Sequence, residues 1–482
     1  MYSGSSVLLA SVVVAAAYSF SVASAAEATA PGWTGTITMR AQAYTPNARD
    51  DESPLSAFQE AADVYEAEHP GITVEFIDEE IADNNNDVRV KAAAGELYDV
   101  FWAQWNSLNG ALPQGVAVDL APYFAEPNPY APDAATWAKA MNPTIIAETA
   151  APSGASYNLN GDFVATAFFY NEALFDQAGI TQTPTTWPEL LEVAAQLQEA
   201  GVPAAVGVPL YSWWQRHFLS DFYAEDYDRI AAFDDAPAIS PLDEAVAIEQ
   251  GILSTEDPRF MMWWPIFKEF TDTWVPDYLA LAPDQNDAAY QDFIGSKAAM
   301  LYEGSYTPNK FEDSGISFGY SSFNFPPLST EVSEYSTGLD TSNAVGGPNA
   351  AYQYAVSSER ANRTMAEPGK LEAVIDWLRY IGTPEVAEKI INEEGSFIPT
   401  WAGTTPNPGS EALATQADLE LRTVSVGNTS ATLNDDLQRI FGLYLSNNLS
   451  LEDAQAQVQE ALERSVTDYA RSNNVDLEGY GE

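Results

Sequence analysis

The sequence predicts an α/β protein built on open sheets, and three observations carry that expectation. From Ile37 onward, short β-rich runs alternate with segments whose apolar residues recur at helical spacing. At about 150 residues per domain, 482 residues are too many for one core, so two or three compact units are expected. A hydrophobic fraction of 46%, with 12% aromatic residues, supplies core material for all of them and leaves little of the chain to disorder.

Taken in order, the first element is an export signal over residues 1–26. Val7 to Ala17 is an apolar run and Ala23-Ser24-Ala25 offers a small-residue cleavage pattern. A buried N-terminal helix is the alternative. No Lys or Arg precedes Arg40, so the basic start of a leader is missing, which leaves open a start further upstream. No other stretch is long enough to span a membrane. Ile37 to Ala43 reads as a strand. Ser53 to His69 reads as a helix with Leu55, Phe58, Ala62 and Tyr65 on one face, stopped by Pro70-Gly71. Ile72 to Ile77 is β-rich, Asp87 to Ala94 a short helix, and Tyr98 to Trp102 another strand.

Further on, Thr186-Trp187-Pro188-Glu189 reads as a capping box, Thr186 bonding a first-turn amide while Glu189 reaches back, ahead of the apolar face Trp187, Leu190, Leu191, Ala194 and Leu197. Gly201 and Pro203 close it. Leu371 to Ile381, Glu385 to Asn392 and Leu451 to Tyr469 are helical by spacing, the last begun by Ser450. With no internal repeat and no low-complexity linker, the units are expected to interweave by several crossings of the chain.

Charge and composition exclude whole classes of function. Seventy Asp and Glu against twenty Lys and Arg give a formal charge of -50, which repels phosphate backbones and anionic lipid, so nucleic acid is excluded as a partner. The excess reads as a solvated surface adapted to salt, with an acidic cation-binding role as the alternative. Absence of cysteine removes disulfides, thiolate metal sites, cysteine nucleophiles and a lipid-bearing cysteine, so a freely soluble periplasmic protein is expected.

Catalytic signals are weak. Gly315-Ile316-Ser317-Phe318-Gly319 matches a nucleophile elbow, yet Tyr320 to Phe325 continues β-like where a helix should begin. Only His69 and His217 could serve as a triad base, and His69 sits at a helix end before Pro-Gly. Among seventy acids some carboxylate pair suited to glycoside hydrolysis is inevitable, so its presence is uninformative. Asp83-Asn84-Asn85-Asn86-Asp87 lacks the central glycine and distal glutamate of a calcium loop and reads as a helix cap. Neither a metal nor a cofactor is expected. Aromatic doublets set beside amides and charges are more telling: Trp102, Trp105, Trp213, Trp214, Trp263 and Trp264 neighbour Gln104, Asn106, Gln215 and Arg216. Sugar C–H faces pack on rings while hydroxyls need directed hydrogen bonds, so such mixtures suit a sugar pocket; core packing is the competing use of each tryptophan.

Four ordered motifs then give the sequence a family resemblance. Val88 to Trp102 (VRVKAAAGELYDVFW) is similar to a helix, Ala-Ala-Gly turn and Asp-Val strand. Phe169 to Ile180 (FYNEALFDQAGI) is followed by Pro184-x-x-Trp187-x-Glu189-Leu190. Phe293 to Tyr306 (FIGSKAAMLYEGSY) resembles a Gly-Lys-Ala-Ala-Met strand with a Gly-Ser-Trp ending. Val345-Gly346-Gly347 leads to Ala355-Val356-Ser357 and on to Gly395-x-x-Ile398-Pro399. Over residues 33 to about 470 the chain thus resembles the extracellular solute-binding proteins of ABC importers, in the sugar-binding group that includes maltose-binding protein. Ser296 and Tyr306 depart from the usual Gly and Trp; Tyr306 keeps an aromatic face.

The resemblance implies the type II periplasmic-binding-protein fold, two α/β lobes around a ligand cleft. It implies an N-terminal lobe of 33–162 plus 343–398 and a C-terminal lobe of 163–336 plus 400–482, with hinges near 162–165, 337–342 and 399. It also implies a small solute as ligand, a sugar first and a polyamine, osmolyte or organic anion otherwise, permease subunits as partners, and a monomer. The implied ligand-binding residues are Gln42, Tyr44, Trp102, Gln104 and Trp105 from the first lobe and Asp162 at the crossing. Trp213, Trp214, Arg216, Ser305 and Tyr306 come from the second lobe, and Gly346 and Gly347 from the returning segment. Asp99 is expected to be structural. Arg216 would favour a carboxylate or sulfonate if it faces the cleft, Asp162 and Glu303 a cation or hydroxyls. A secreted glycoside hydrolase is the reading from another class.

Overall fold

Period-two burial marks the strands as the sequence suggested. Ile37 and Met39 are fully buried while Thr38 turns to the other face, and Ile72 and Val74 are buried between exposed neighbours. The computed structural model describes residues 32–46, 55–79, 81–151, 153–207, 210–234, 238–276, 278–280, 286–407, 410–419, 422–430 and 432–480. The export signal expected over 1–26 lies outside them.

The strands are β1 (Gly35–Met39), β2 (Ile72–Phe76), β3 (Val100–Trp102), β4 (Leu159–Asn160), β5 (Asp162–Phe163) and β6 (Thr166–Asn171). They continue with β7 (Ala205–Val206), β8 (Met300–Gly304), β9 (Tyr320–Phe323), β10 (Gln353–Val356) and β11 (Ile398–Pro399). A first sheet has the order β2-β1-β3-β10-β4, parallel through β2, β1 and β3 and antiparallel beyond. A second has the order β7-β8-β6-β9, with only β7 and β8 parallel. Each sheet carries its own apolar core: around Met39, Phe58, Tyr354 and Trp377 in the first, and around Phe168, Trp214, Phe267 and Phe441 in the second.

The chain passes between the sheets three times. β4 leads through β5 into β6, the segment after β9 returns to β10, and the chain leaves again after β11, which pairs antiparallel with β5. The last helices, Leu433–Leu445 and Leu451–Asn473, bury Leu437, Ile440, Phe441, Val458 and Leu462 in the second core.

Local differences from the sequence reading have physical causes. The first helix spans Ala57–Glu68 instead of starting at Ser53, because Glu393 caps it, accepting from the amides of Ser56 at 2.9 Å and Ala57 at 2.7 Å. The Asp83 cluster is a cap as expected, but one turn earlier: Asp83 accepts from the Asn86 amide and the helix is Asn84–Ala94. At Trp187–Glu199, Thr186 caps Glu189, yet the Glu189 carboxylate reaches the amide and hydroxyl of Thr185. Ser317 lies on an exposed turn leading into β9, so the elbow geometry is absent. Asp99 is structural: 1% exposed, it binds the Thr38 amide and hydroxyl, Asn362 and the Lys370 ammonium.

Candidate functional site

The helix Tyr211–Phe222 shows how the sequence builds the site. Successive residues on a helix point about 100° apart, so the neighbours Trp213 and Trp214 meet different surroundings here. Trp214 and Phe218 turn inward, Trp214 against Phe267 and Tyr302, while Ser212, Trp213 and Arg216 turn outward to a cavity of about 260 Å³. Tyr306, Val164, Thr166, Val345 and Gly346 complete its wall. Three of those eight residues, Val164, Val345 and Gly346, lie in the segments that run between the sheets.

Backbone geometry holds this wall together. Val164 and Gly347 exchange backbone hydrogen bonds at 2.9 and 3.0 Å. Gly346 has φ +99°, and a Cβ there would stand 2.2 Å from the Val164 carbonyl oxygen, so only glycine fits. Gly304 is likewise needed because the Tyr306 ring folds over it, to within 2.3 Å of where its Cβ would be. The Tyr306 hydroxyl donates to Glu303 at 2.5 Å, leaving one ring surface to the cavity. Burial raises the Glu303 carboxyl above its ordinary range, and the Tyr306 bond opposes that.

Two charged groups define the electrostatics. Arg216 makes no hydrogen bond or ion pair with any described residue, and its Nε is buried without a partner. Desolvation lowers its pKa, opposed by Glu148. Glu148, on the helix Pro143–Thr149, has its Oε1 3.9 Å from where a Gly347 Cβ would be, and its Oε2 is also unpartnered. Desolvation pushes its carboxyl up to about 8, the Arg216 charge acting against it. No motif singles out Glu148, one acid among seventy.

The remaining expected residues separate into groups. Gln42 lines a second cavity of about 250 Å³ with Arg40, Thr45, Asp78 and Glu79, at the carboxyl end of β1. Trp102 ends β3, Gln104 and Trp105 follow it, and all three are partly exposed, with the indole Nε1 atoms of both tryptophans unpartnered and the Trp105 amide donating to Gln353 at 2.9 Å. Strand ends of this kind are where α/β folds bind ligands.

Trp214, Tyr44, Asp162 and Ser305 line neither cavity. Trp214 is a core residue, for the reason above. Tyr44 is 1% and Asp162 0% exposed, and they bond each other at 2.6 Å; the Ala351 and Tyr352 amides also donate to Asp162, making it a brace at the crossing rather than a wall of the cavity. Its carboxyl is pushed up to about 7 by burial. Ser305 is 2% exposed and donates to the Ser396 carbonyl. Trp263 and Trp264 are fully buried on one helix against Phe441. His69 stacks on Tyr65 with Nδ1 at its carbonyl, and His217 is buried between Thr341 and Tyr302, so neither histidine faces a serine nucleophile.

With this geometry in place, the comparisons decide the family. The model of the bacterial extracellular solute-binding proteins matches residues 49–388. The chain belongs to that family. As a solute-binding protein it is not an enzyme, which sets aside the hydrolase reading. Among solved structures, a family 1 extracellular solute-binding protein of Bifidobacterium longum subsp. infantis is 18% identical, with 90% of this chain and 100% of that one covered and a TM-score of 0.58. The cyclic alpha-maltosyl-1,6-maltose binding protein of Arthrobacter globiformis is 14% identical, covers 90% and 100%, and has a TM-score of 0.60. The GacH receptor of Streptomyces glaucescens, solved unliganded and with acarbose, is 18% identical, covers 91% and 100%, and has a TM-score of 0.55. The solute-binding protein described here therefore has the two-lobed type II periplasmic-binding fold. A binding protein of Brucella abortus (strain 2308) is 27% identical over 149 residues, which span 30% of this chain and 33% of that relative. Among the described residues no helix is long and apolar enough to cross a membrane.

Proposed function

We propose that this solute-binding protein captures a mono- or oligosaccharide or sugar derivative by cleft closure outside the cytoplasm, in the periplasm, and delivers it as a monomer to the permease of an ABC-type importer. The observation that carries the reading is the cavity at the crossing segments, where the Trp213 and Tyr306 rings meet the Arg216 guanidinium and the Gly346 backbone. Rings supply stacking area, and the charged and backbone groups supply direction for hydroxyls. The similar proteins of Arthrobacter and Streptomyces are described with carbohydrate ligands, which supports the solute class.

The lobes in this proposal are 33–162 with 343–398 and 163–336 with 400–482, hinged near 162–165, 337–342 and 399. Trp213, Arg216, Tyr306, Gly346 and Gly347 form the second-lobe and hinge side, and Gln42, Trp102, Gln104 and Trp105 the facing side. Contacts from both sides favour the closed state, and only that differential affinity shifts the population. A thermal-shift screen over sugars, polyamines, osmolytes and organic acids tests it. A solute at a hundred times its dissociation constant should add about 2.7 kcal/mol, whereas a panel without any shift would refute small-solute capture.

A further inference from the structure

In a chain with seventy acids and twenty bases, most described cations have an acid or carbonyl at hand: Lys91, Arg259, Lys370 and Arg379 each hold a carboxylate within 3.1 Å. Arg216 does not. It lines the cavity, no carboxylate among the described residues lies within ion-pair distance, and its Nε is buried with no acceptor. An unpaired guanidinium in such surroundings has an uncompensated desolvation cost, since burial of a charge is offset only by a partner. Glu148 acts on it by charge without forming an ion pair.

We infer that the missing partner is the solute itself, a sugar acid whose carboxylate is received by the Arg216 guanidinium while its ring packs on Trp213 and Tyr306. The inference rests on the cavity being the solute site. A planar fork of donors matches the two oxygens of a carboxylate, and the flanking rings accept the sugar's C–H face. Glu148 does not fill the role, because it forms neither a hydrogen bond nor an ion pair with Arg216 and its own Oε2 is unpartnered; burial raises its carboxyl, against the Arg216 charge. The formal charge of -50 would repel an anion at long range, but at physiological ionic strength that field decays over about 8 Å, and the local guanidinium dominates inside the cavity.

Isothermal titration of the whole protein with pairs of sugars differing only at C6 tests this: galactose with galacturonate, glucose with glucuronate, and mannose with mannuronate. In at least one pair the acid should bind tenfold or more tightly than the neutral sugar. Arg216→Gln should erase that preference, and Arg216→Lys, which keeps the charge without the fork, should retain part of it. Melting curves of both variants, compared with wild type, separate loss of binding from loss of folding. Neutral sugars binding as tightly as their acids, or an acid preference that survives Arg216→Gln, would overturn the inference while leaving sugar capture intact. No binding by any of the six probes also overturns it, and only a null result across the wider solute panel removes the reading beneath it.

Discussion

Trp213 and Trp214 are adjacent in the chain, yet one lines the cavity and the other is buried in the core. Trp213→Ala or Tyr306→Ala should lower solute affinity at least tenfold, about 1.4 kcal/mol, with folding unchanged, as titration alongside a melting curve would show. Wild-type affinity in both variants would remove them from the site. The sequence presented the aromatic doublets but not their facing, because the choice between cleft and core turns on helix rotation at a single position. Glu148 was illegible for a different reason: its character comes from burial beside Gly347, which no local pattern encodes. His217 makes a separate prediction. Burial holds its pKa near 3, so the native state binds fewer protons than the unfolded chain from about pH 6.5 down to 3. Its contribution to stability is complete above about pH 6.5 and is lost as the pH falls through that window. Asp162, held up at about 7, acts in the opposite sense, so the test is a difference. The urea midpoint of His217→Gln should lie below wild type at pH 7 and approach it at pH 5; a gap that stays constant would contradict a buried neutral imidazole.

Elements carried more of the fold into the sequence than residues carried of the site. The helices at Lys370–Ile381, Pro384–Glu394 and Leu451–Asn473 fall where apolar spacing puts them, and the last two start on local caps, Thr383 and Ser450. The start of Ala57–Glu68 moved because its cap, Glu393, lies more than three hundred residues away in the chain. The same long-range logic governs the crossing. Gly346→Ala combines a strained φ with a Cβ 2.2 Å from the Val164 oxygen, so about 1–3 kcal/mol of stability should be lost, read from denaturant midpoints. Gly315→Ala, also at positive φ but with open space around it, provides the control for strain alone.

At the scale of the whole molecule, the two sheets, their separate cores and the three passages between them give the type II periplasmic-binding fold, which ordered motifs along the chain foretold better than composition did. The acidic surface sets its solution behaviour. Self-repulsion among seventy acids weakens with screening, so the melting temperature should rise with sodium chloride, and a flat response from low to marine salt would count against salt adaptation. Capture by closure is the central claim. Small-angle X-ray scattering, with and without the solute giving the largest thermal shift, addresses it most directly: the radius of gyration should fall when the site is saturated, and Trp213→Ala should abolish that fall at the same solute concentration. An unchanged radius with the solute demonstrably bound would contradict closure around the cleft.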